Sequence, residues 1–523
     1  MDSNYKEIVD PLGEAVKQYF GLSYLFPYQR LIISNLLEAV GSAASGKLDN
    51  EDDRTSLGKQ IVILPTGAGK SLCFQLPAIL LDGPTLIIYP ILSLMADQER
   101  RLAEQGFTPV VIRGGQSIEE RNAVWNKLYS GQSKIIIANP EVLLNPKVLE
   151  RLVELRIVHT VIDEAHCVSE WGESFRPSYL KLNTILTAIN APLVTAFTAT
   201  ASAPVLEKIE KYIFAGEGAA RIIGNPDRPN IEYRAVPCML RNLAVRDLLL
   251  ANKRPAIVFC SSRSGTEHLA RYLQNRYANI ALNWSKEIRF YHAGLNREEK
   301  KELEKWYLRN TEAVLVATCA FGLGVDKADI RTVIHRDCPP SVEAYLQESG
   351  RAGRDGKQSR AILLWGPEDD QRLLRCKTKE ENTRLNQLFN YARDINSCRR
   401  EMLLRLLNYR ENNDMENSDK PEENCCDTCS GESSTELREE DSIVNFFRRN
   451  RLSYTLEEAS LILSNSPVVP SSIAVPSSTA VHWSKEESAE LTRILLKKGT
   501  LTQSKSPFWK DKLLVTAKKR NRL

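Results

Sequence analysis

Short apolar, β-branched runs recur along the first two-thirds of the chain and alternate with longer stretches whose apolar positions fall at helical spacing. The runs predict strands at residues 60–65, 85–89, 134–138, 160–162 and 193–197. A second series follows at 256–260, 290–292, 314–318, 332–335 and 361–365. Helical stretches such as 117–130 and 297–307 lie between them, and this alternation predicts parallel sheets with crossover helices. Two series in one chain predict two α/β domains, with the break near Asp227-Arg228-Pro229-Asn230. Beyond Trp365 the strand signals stop. Residues 370–411 read as helical, 412–434 as polar and acidic apart from cysteines, and a last segment opens near Glu436. Within it the Ser/Pro-rich stretch 464–480 reads as a loop, whereas Ser484-Lys485-Glu486-Glu487 has capping-box spacing and opens a helix reaching Gly499. Residues 41–58 are small, polar and acidic, and read as a solvated surface insertion in the first domain.

A chain of 523 residues allows roughly three or four domains. Hydrophobic residues at 42% and charged residues at 26% match a globular chain and exclude wholesale disorder. No apolar run approaches the roughly 20 residues of a membrane span, so no membrane partner is expected. The start, Met1-Asp2-Ser3-Asn4-Tyr5-Lys6-Glu7, carries acids and lacks an apolar stretch, which argues against a secretory signal. The expected location is the cytoplasm of a bacterium or the nucleus of a eukaryote. A net charge of +4 does not by itself advertise a nucleic-acid binder, but residues 497–523 hold nine Lys or Arg against one acid, Asp511. Eleven cysteines, an odd number, argue against a secreted disulfide scaffold. Seven are spread singly; Cys398, Cys425, Cys426 and Cys429 remain as a candidate metal site.

Three motifs carry chemistry. Pro65-Thr66-Gly67-Ala68-Gly69-Lys70-Ser71 follows an apolar strand and precedes a helical pattern, the context of a phosphate-binding loop. Its glycines let backbone N–H groups converge on phosphate oxygens, Lys70 can reach the terminal phosphates and Ser71 can ligate magnesium. Leu64 stands where such a motif normally opens with glycine. Asp163-Glu164-Ala165-His166 ends another apolar strand, and ligands bind at the carboxyl ends of strands in open parallel sheets. There Asp163 can hold magnesium and Glu164 can orient and polarise the attacking water. Gln347-Glu348-Ser349-Gly350-Arg351-Ala352-Gly353-Arg354-Asp355-Gly356 reads as a Gly-punctuated helix start with Arg351 and Arg354 one turn apart. Such arginines stabilise charge on a transferred phosphate, worth on the order of 10³–10⁵ in rate. Each motif alone has a bland reading (a Gly-rich turn, an acidic turn, two solvated arginines); the three together do not.

Further residues identify the resemblance. Phe20-Gly21 with Gln29 resembles an adenine-reading motif, and Tyr89-Pro90-Ile91-Leu92-Ser93-Leu94-Met95-Ala96-Asp97-Gln98 a single-strand contact motif. Trp171-Gly172, Phe175-Arg176-Pro177 and Tyr179 resemble an aromatic-rich loop, and Thr198-Ala199-Thr200 a coupling motif. Ala317-Thr318 with Ala320-Phe321-Gly322-Leu323-Gly324-Val325-Asp326-Lys327 resembles a motif that binds nucleic acid and nucleotide from the second domain. Together, over roughly residues 20–429, the chain resembles the RecQ-type DNA helicases of superfamily 2. It departs from them at Phe26, where they usually carry a basic residue, and at Glu173 and Ser174, which replace a His-Asp pair.

The resemblance implies two tandem RecA-like parallel-sheet domains, then a helical zinc-binding module and a winged-helix domain. The corresponding bounds are 1–226 (ATP-binding, with the 41–58 insertion), 227–366 (helicase C-terminal), 367–434 (zinc module) and 435–523 (winged helix with a Ser/Pro-rich loop). It further implies that Gln29, Thr66, Gly67, Ala68, Gly69, Lys70 and Ser71 bind ATP, and that Ser71 and Asp163 hold Mg²⁺. Lys70, Asp163, Glu164, Arg351 and Arg354 would gather round the nucleotide. Trp171, Phe175 and Arg176 offer stacking faces beside a cation for single-stranded DNA. Four thiolates, Cys398, Cys425, Cys426 and Cys429, suit a closed structural Zn²⁺ site, with Glu423 as the alternative to Cys425. Residues 494–499 as a helix and 500–503 and 512–515 as strands would suit a wing with Phe508 and Trp509 at its tip. The implied activity is ATP-driven 3′-to-5′ translocation on single-stranded DNA with unwinding of forked duplex, in repair and recombination. Single-strand-binding or recombination proteins are the expected protein partners. An RNA helicase of the Asp-Glu-Ala-His group and a nucleotide-gated annealing protein are the alternatives.

Overall fold

The computed structural model describes residues 10–45, 58–65, 67–170, 177–199, 202–225, 227–278, 283–322, 327–407, 425–464 and 483–516. The chain divides into two units, Met1–Asp227 with Leu406–Glu411, and Arg228–Arg405 with Asn412–Leu523.

The first unit is built on a seven-stranded sheet: β1 (Lys59–Ile63), β2 (Thr85–Ile88), β3 (Val110–Ile112), β4 (Ile135–Ala138), β5 (His159–Ile162), β6 (Leu193–Thr198) and β7 (Ala220–Ile223). Their order is β3-β4-β2-β5-β6-β1-β7 and every pairing is parallel. Because strand side chains alternate, Ile61, Ile63, Leu86, Ile88 and Ile136 feed one core while Val62, Ile87, Ile135, Ile137 and Val161 feed the other. Burial on both faces explains the continuous apolar runs. β3, apolar but only three residues long, and alternating β7 stand at the two sheet edges and are not among the expected strands. Residues 41–45 finish the helix Pro27–Ser45, so the expected insertion at 41–58 is in part regular helix. Alanine and serine in that last turn are compatible with helix despite their lack of apolar periodicity. The rest of the proposed insertion, 46–57, lies outside the described residues.

The second unit repeats the plan with β8 (Ile231–Pro237), β9 (Ala256–Phe259), β10 (Ile288–Tyr291), β11 (Val314–Ala317), β12 (Thr332–His335) and β13 (Ser359–Trp365). The order is β10-β11-β9-β12-β13-β8, again all parallel. β8 lies at the sheet edge with Glu232 and Arg234 among its apolar positions, and it is not among the expected strands. The helices Glu368–Leu373, Lys379–Arg393 and Arg399–Leu406 fill the stretch that reads as helical. Then come the helices Arg438–Arg449, Leu456–Ser464 and Lys485–Lys497, and an antiparallel pair, β14 (Leu501–Gln503) and β15 (Leu513–Val515). This is the element order of a winged helix. The Ser484 hydroxyl accepts the Glu487 N–H and the Glu487 carboxylate accepts the Ser484 N–H, the capping box expected from their spacing. Ile443, Phe447, Leu491, Leu495 and Trp483 form its core together with Met239 and Leu243 from the sheet domain. Most of the Ser/Pro-rich stretch lies outside the described residues.

Candidate active site

β1 ends at Ile63, and the next residue, Leu64, is fully buried and donates its N–H to the carbonyl of Thr198 at the end of β6 (3.0 Å). A core position explains the absence of glycine there. The chain then turns through Gly67 and Gly69 at φ +86° and +72°, backbone that side chains resist. N–H groups of Leu72 and Cys73 donate to the carbonyls of Gly69 (3.1 Å) and Lys70 (3.0 Å) as the helix Leu72–Leu80 begins. Buried Gln29 lies on this loop. Its Nε2 donates to the Ala68 carbonyl (3.2 Å), its Oε1 accepts the Phe26 N–H (3.0 Å), and the Tyr28 hydroxyl donates to the same Ala68 carbonyl (3.0 Å). A Cβ added at Gly69 would lie 2.6 Å from Gln29 Nε2. Thr66 lies outside the described residues.

β5, separated from β1 by β6, delivers Asp163 and Glu164 to the same carboxyl edge of the sheet. Lys70 Nζ sits 3.9 Å from Glu164 Oε1 and makes no hydrogen bond among the described residues. Asp163 Oδ1 accepts the Glu164 N–H (2.9 Å), and Glu164 has φ +52°. A non-glycine residue in this conformation costs on the order of 1–3 kcal/mol and persists where its surroundings over-determine it, commonly at functional sites. Here the Ala165 N–H donates to Phe197 (2.8 Å), and His166 Nδ1 lies 3.3 Å from Glu164 Oε2 and 3.0 Å from Thr198 Oγ1. Thr198 therefore touches the phosphate-type loop through its carbonyl and the acidic motif through its hydroxyl. Burial, then repulsion from Glu164, pushes the Asp163 carboxyl well above the usual carboxylate range, while Lys70 pulls it back. Buried Asp163 beside partly buried Glu164 offers carboxylate oxygens of the kind a divalent cation takes.

In the second unit Arg351 and Arg354 do not open a helix; they follow one. The helix Val342–Ser349 ends before them, and Gly353 takes φ +55°, which continues no helix. Arg228 holds the turn by donating to the carbonyls of Gly350 (3.1 Å), Ala352 (3.2 Å) and Gly353 (3.0 Å), and Asn230 adds a bond to Gly353 (2.8 Å). Arg351 is buried and Arg354 half-buried. Sequence reasoning missed a separate group at the carboxyl ends of β9 and β10. His292 Nε2 lies 3.1 Å from Glu267 Oε1, and a Cβ at Gly294 would lie 3.2 Å from His292 Nδ1 and 3.4 Å from an Arg263 nitrogen. Polar residues directly after two apolar strands, Ser261-Ser262-Arg263 and His292-Ala293-Gly294, were the available signal.

The ligand atoms of Cys398, Cys425, Cys426 and Cys429 all lie within 4.8 Å of one another, with Cys398 and Cys425 at 3.4 Å and Cys398 and Cys426 at 4.0 Å. A tetrahedral ion with metal–sulfur bonds of roughly 2.3 Å sets its sulfurs about 3.8 Å apart. Cys426 Sγ accepts the N–H groups of Arg399 and Cys429 (3.4 Å each). Hydrogen bonds from Cys398, Cys425 and these amides lower its thiol pKa below the ordinary range. The cysteine loop extends the edge strand β8: Tyr233 donates to Cys425 (3.3 Å), Asp427 to Tyr233 (3.1 Å), and Ala235 to the Asp427 carboxylate (2.9 Å). Buried Arg399 pairs with the same carboxylate. Glu423 lies outside the described residues.

Phe508 and Trp509 occupy a short turn between β14 and β15, 86% and 46% exposed, with their rings edge-to-face at 5.3 Å. Trp171, Phe175 and Arg176 lie outside the described residues. Among the described residues no helix is long and apolar enough to cross a membrane.

The DEAD/DEAH box helicase family model matches residues 27–209, and that of the helicase conserved C-terminal domain residues 240–356. The ATP-dependent DNA helicase RecQ of Pasteurella multocida (strain Pm70) is 34% identical over 407 residues, 76% of this chain and 62% of the relative. The chain thus spans less than two-thirds of that relative's length. The probable ATP-dependent DNA helicase RecS of Bacillus subtilis (strain 168) is 37% identical over 362 residues, 68% of this chain and 67% of the relative. Among solved structures, the DUF1998 helicase MrfA bound to DNA shares the fold, with a TM-score of 0.55 at 18% identity over 98% of this chain and 63% of that one. The motif order, the paired parallel sheets, the four-cysteine cluster and the similarity to RecQ and RecS agree, and the chain belongs to the RecQ-type ATP-dependent DNA helicases.

Proposed function

We propose that this protein hydrolyses ATP to move 3′-to-5′ along single-stranded DNA and to unwind forked duplex DNA, in repair and recombination. The observation that carries the reading is the convergence of Lys70, Asp163 and Glu164 at one sheet edge, tied to the phosphate-type loop through Thr198. Thr66, Gly67, Ala68, Gly69, Lys70 and Ser71 cradle the phosphates, with Gln29, hydrogen-bonded to the loop, at the adenine-reading position. Ser71 and Asp163 would hold Mg²⁺, which supplies charge neutralisation at the phosphates when bound. Glu164 orients the attacking water, and its proximity to Lys70 and His166 keeps its carboxylate aimed. Arg351 and Arg354 stabilise charge on the transferred phosphoryl group. Trp171, Phe175 and Arg176 stack on the tracking strand, and Phe508 and Trp509 meet the last base pair at the fork.

Residues 1–226 and 227–366 serve as the motor, 367–434 as a zinc module and 435–523 as a winged helix. Cys398, Cys425, Cys426 and Cys429 would hold Zn²⁺, whose role there is structural. The close sulfur cluster and its amide hydrogen bonds support four thiolate ligands over a set containing Glu423. Single-strand-binding or recombination proteins are the proposed protein partners, in the cytoplasm of a bacterium or the nucleus of a eukaryote.

The test is the ATPase rate with single-stranded DNA, duplex DNA or RNA as stimulant. Stimulation by single-stranded DNA above RNA is expected, and its loss in Lys70→Ala with DNA binding retained. Stimulation by RNA alone, or near-normal turnover of Lys70→Ala, contradicts the reading.

A further inference from the structure

Beyond the helix Val342–Ser349 the carbonyls of the arginine turn have no helical partner, and Arg228 supplies one for three of them. Its Nη1 donates to Gly350 (3.1 Å), and its Nη2 to Ala352 (3.2 Å) and Gly353 (3.0 Å). Asn230 Nδ2 donates to Gly353 (2.8 Å) and Lys357 (3.0 Å), and lies so close that a Cβ at Gly353 would meet it at 2.5 Å. The turn's own amides are held from the other side. Gly353 N–H donates to Ile330 (2.8 Å) and Asp355 N–H to Ala328 (3.1 Å). The brace is itself fixed: Arg400 donates to the carbonyls of Pro229 (2.9 Å) and Ile231 (3.0 Å), and Ile231 opens β8 in register with Ser359 of β13. Burial lowers the Arg228 pKa from its ordinary value and repulsion from Arg354 adds to the lowering, so these two cations sit close together.

We propose that Arg228, with Asn230, is a positioning residue for phosphoryl transfer, fixing residues 350–353 so that Arg351 and Arg354 are aimed at the transferred phosphate. The inference rests on the role proposed above for that arginine pair. Its physical basis is the shape of the guanidinium. A planar fork with several donors locks three carbonyls into one geometry, whereas the lysine ammonium is a point charge on a flexible stem. Repulsion from Arg354 works against this placement, and a neutral donor would have met a carbonyl without it. Arginines at a transferred phosphate are worth on the order of 10³–10⁵ in rate, and displacing a catalytic group by about 1 Å costs on the order of 10². The brace therefore governs rate rather than nucleotide affinity.

ATPase of the full-length protein with saturating single-stranded DNA tests this, beside ATPγS binding by titration calorimetry, whose stoichiometry refers each kcat to the folded fraction. Arg228→Ala should lower kcat by roughly 10², with KM for ATP and ATPγS affinity within about threefold of wild type. Arg228→Lys should fall with it, because the charge stays and the fork is lost. Asn230→Ala should lower kcat by a smaller factor, and with Arg228→Lys it carries the test if Arg228→Ala does not fold. In the Arg351→Ala/Arg354→Ala protein, followed in single turnovers with protein in excess, adding Arg228→Ala or Arg228→Lys should cost less than about threefold more, since the groups it aims are gone. Near-normal kcat in Arg228→Ala and Arg228→Lys overturns the proposal. So does a loss of ATPγS affinity that parallels the loss of kcat. The full loss repeated in the double-arginine variant overturns it too, because that is the mark of a residue serving the fold alone. Failure of the underlying reading looks different: Arg351→Ala/Arg354→Ala would then itself hydrolyse ATP as fast as wild type.

Discussion

Glu164 combines a left-handed backbone with a carboxylate held between Lys70 Nζ at 3.9 Å and His166 Nδ1 at 3.3 Å. The strain is tolerated because the Asp163 side chain takes its N–H and the next amide bonds to β6. If this carboxylate orients and deprotonates water, Glu164→Gln keeps the shape and loses the base. Its kcat should fall by roughly 10²–10⁴, with ATPγS affinity close to wild type. Steady-state ATPase beside calorimetric binding checks this; hydrolysis within a fewfold of wild type contradicts the role. Lys70, Asp163 and Glu164 were legible in the sequence because each belongs to a contiguous motif beside an apolar strand. The bracing of the loop by Gln29 and Tyr28 was not. It depends on tertiary contacts spanning about forty positions, which no local pattern encodes.

Among the elements, the same physics separates what was readable from what was not. Strands buried on both faces announced themselves as apolar runs. Edge strands β7 and β8 did not, since Arg221, Glu232 and Arg234 interrupt their apolar positions, and β3, apolar and buried throughout, is only three residues long. The arginine turn was misread as a helix start because glycine can both open a turn and close a helix. Only the carbonyl contacts from Arg228 reveal the latter. A buried acid makes the helix Arg438–Arg449 sensitive to pH. Glu439 is 2% exposed in its first turn, and burial, with some repulsion from Asp247, pushes its carboxyl up to about 7 from an ordinary 4.5. The folded protein then binds this proton more tightly than the unfolded chain does. The protonated group's contribution is full below about pH 4.5 and is lost as pH rises through about 7. Glu439→Gln should therefore raise the urea midpoint of the C-terminal region at pH 8 and flatten its fall between pH 5 and pH 8. An unchanged midpoint at both pH values contradicts the burial argument.

For the whole molecule, the informative quantity is where charge and exposed aromatic surface lie. Two of the basic residues in the C-terminal segment are already paired, Lys498 with Glu440 (2.6 Å) and Lys512 with Glu458 (2.7 Å). Exposed Lys505 and Lys510 flank Phe508 and Trp509, so the hairpin offers cations beside stacking faces. Truncation at Glu436 would also uncover Met239 and Leu243, which pack into the C-terminal core, so point substitution is the cleaner test. Phe508→Ala/Trp509→Ala should lower forked-duplex unwinding while leaving single-strand-stimulated ATPase intact. Lys505→Ala/Lys510→Ala should make the log–log salt slope of duplex binding shallower by about 0.9 per lost contact. Unwinding and salt slope both unchanged would remove the strand-separating role. Whether hydrolysis at Lys70 and Glu164 drives directional unwinding is read from ATP-dependent strand separation of duplexes bearing either a 3′ or a 5′ single-stranded tail. Wild type should separate the 3′-tailed duplex and little of the 5′-tailed one, and Lys70→Ala should separate neither. Separation that prefers the 5′ tail, or proceeds without ATP hydrolysis, would contradict hydrolysis-driven 3′-to-5′ unwinding.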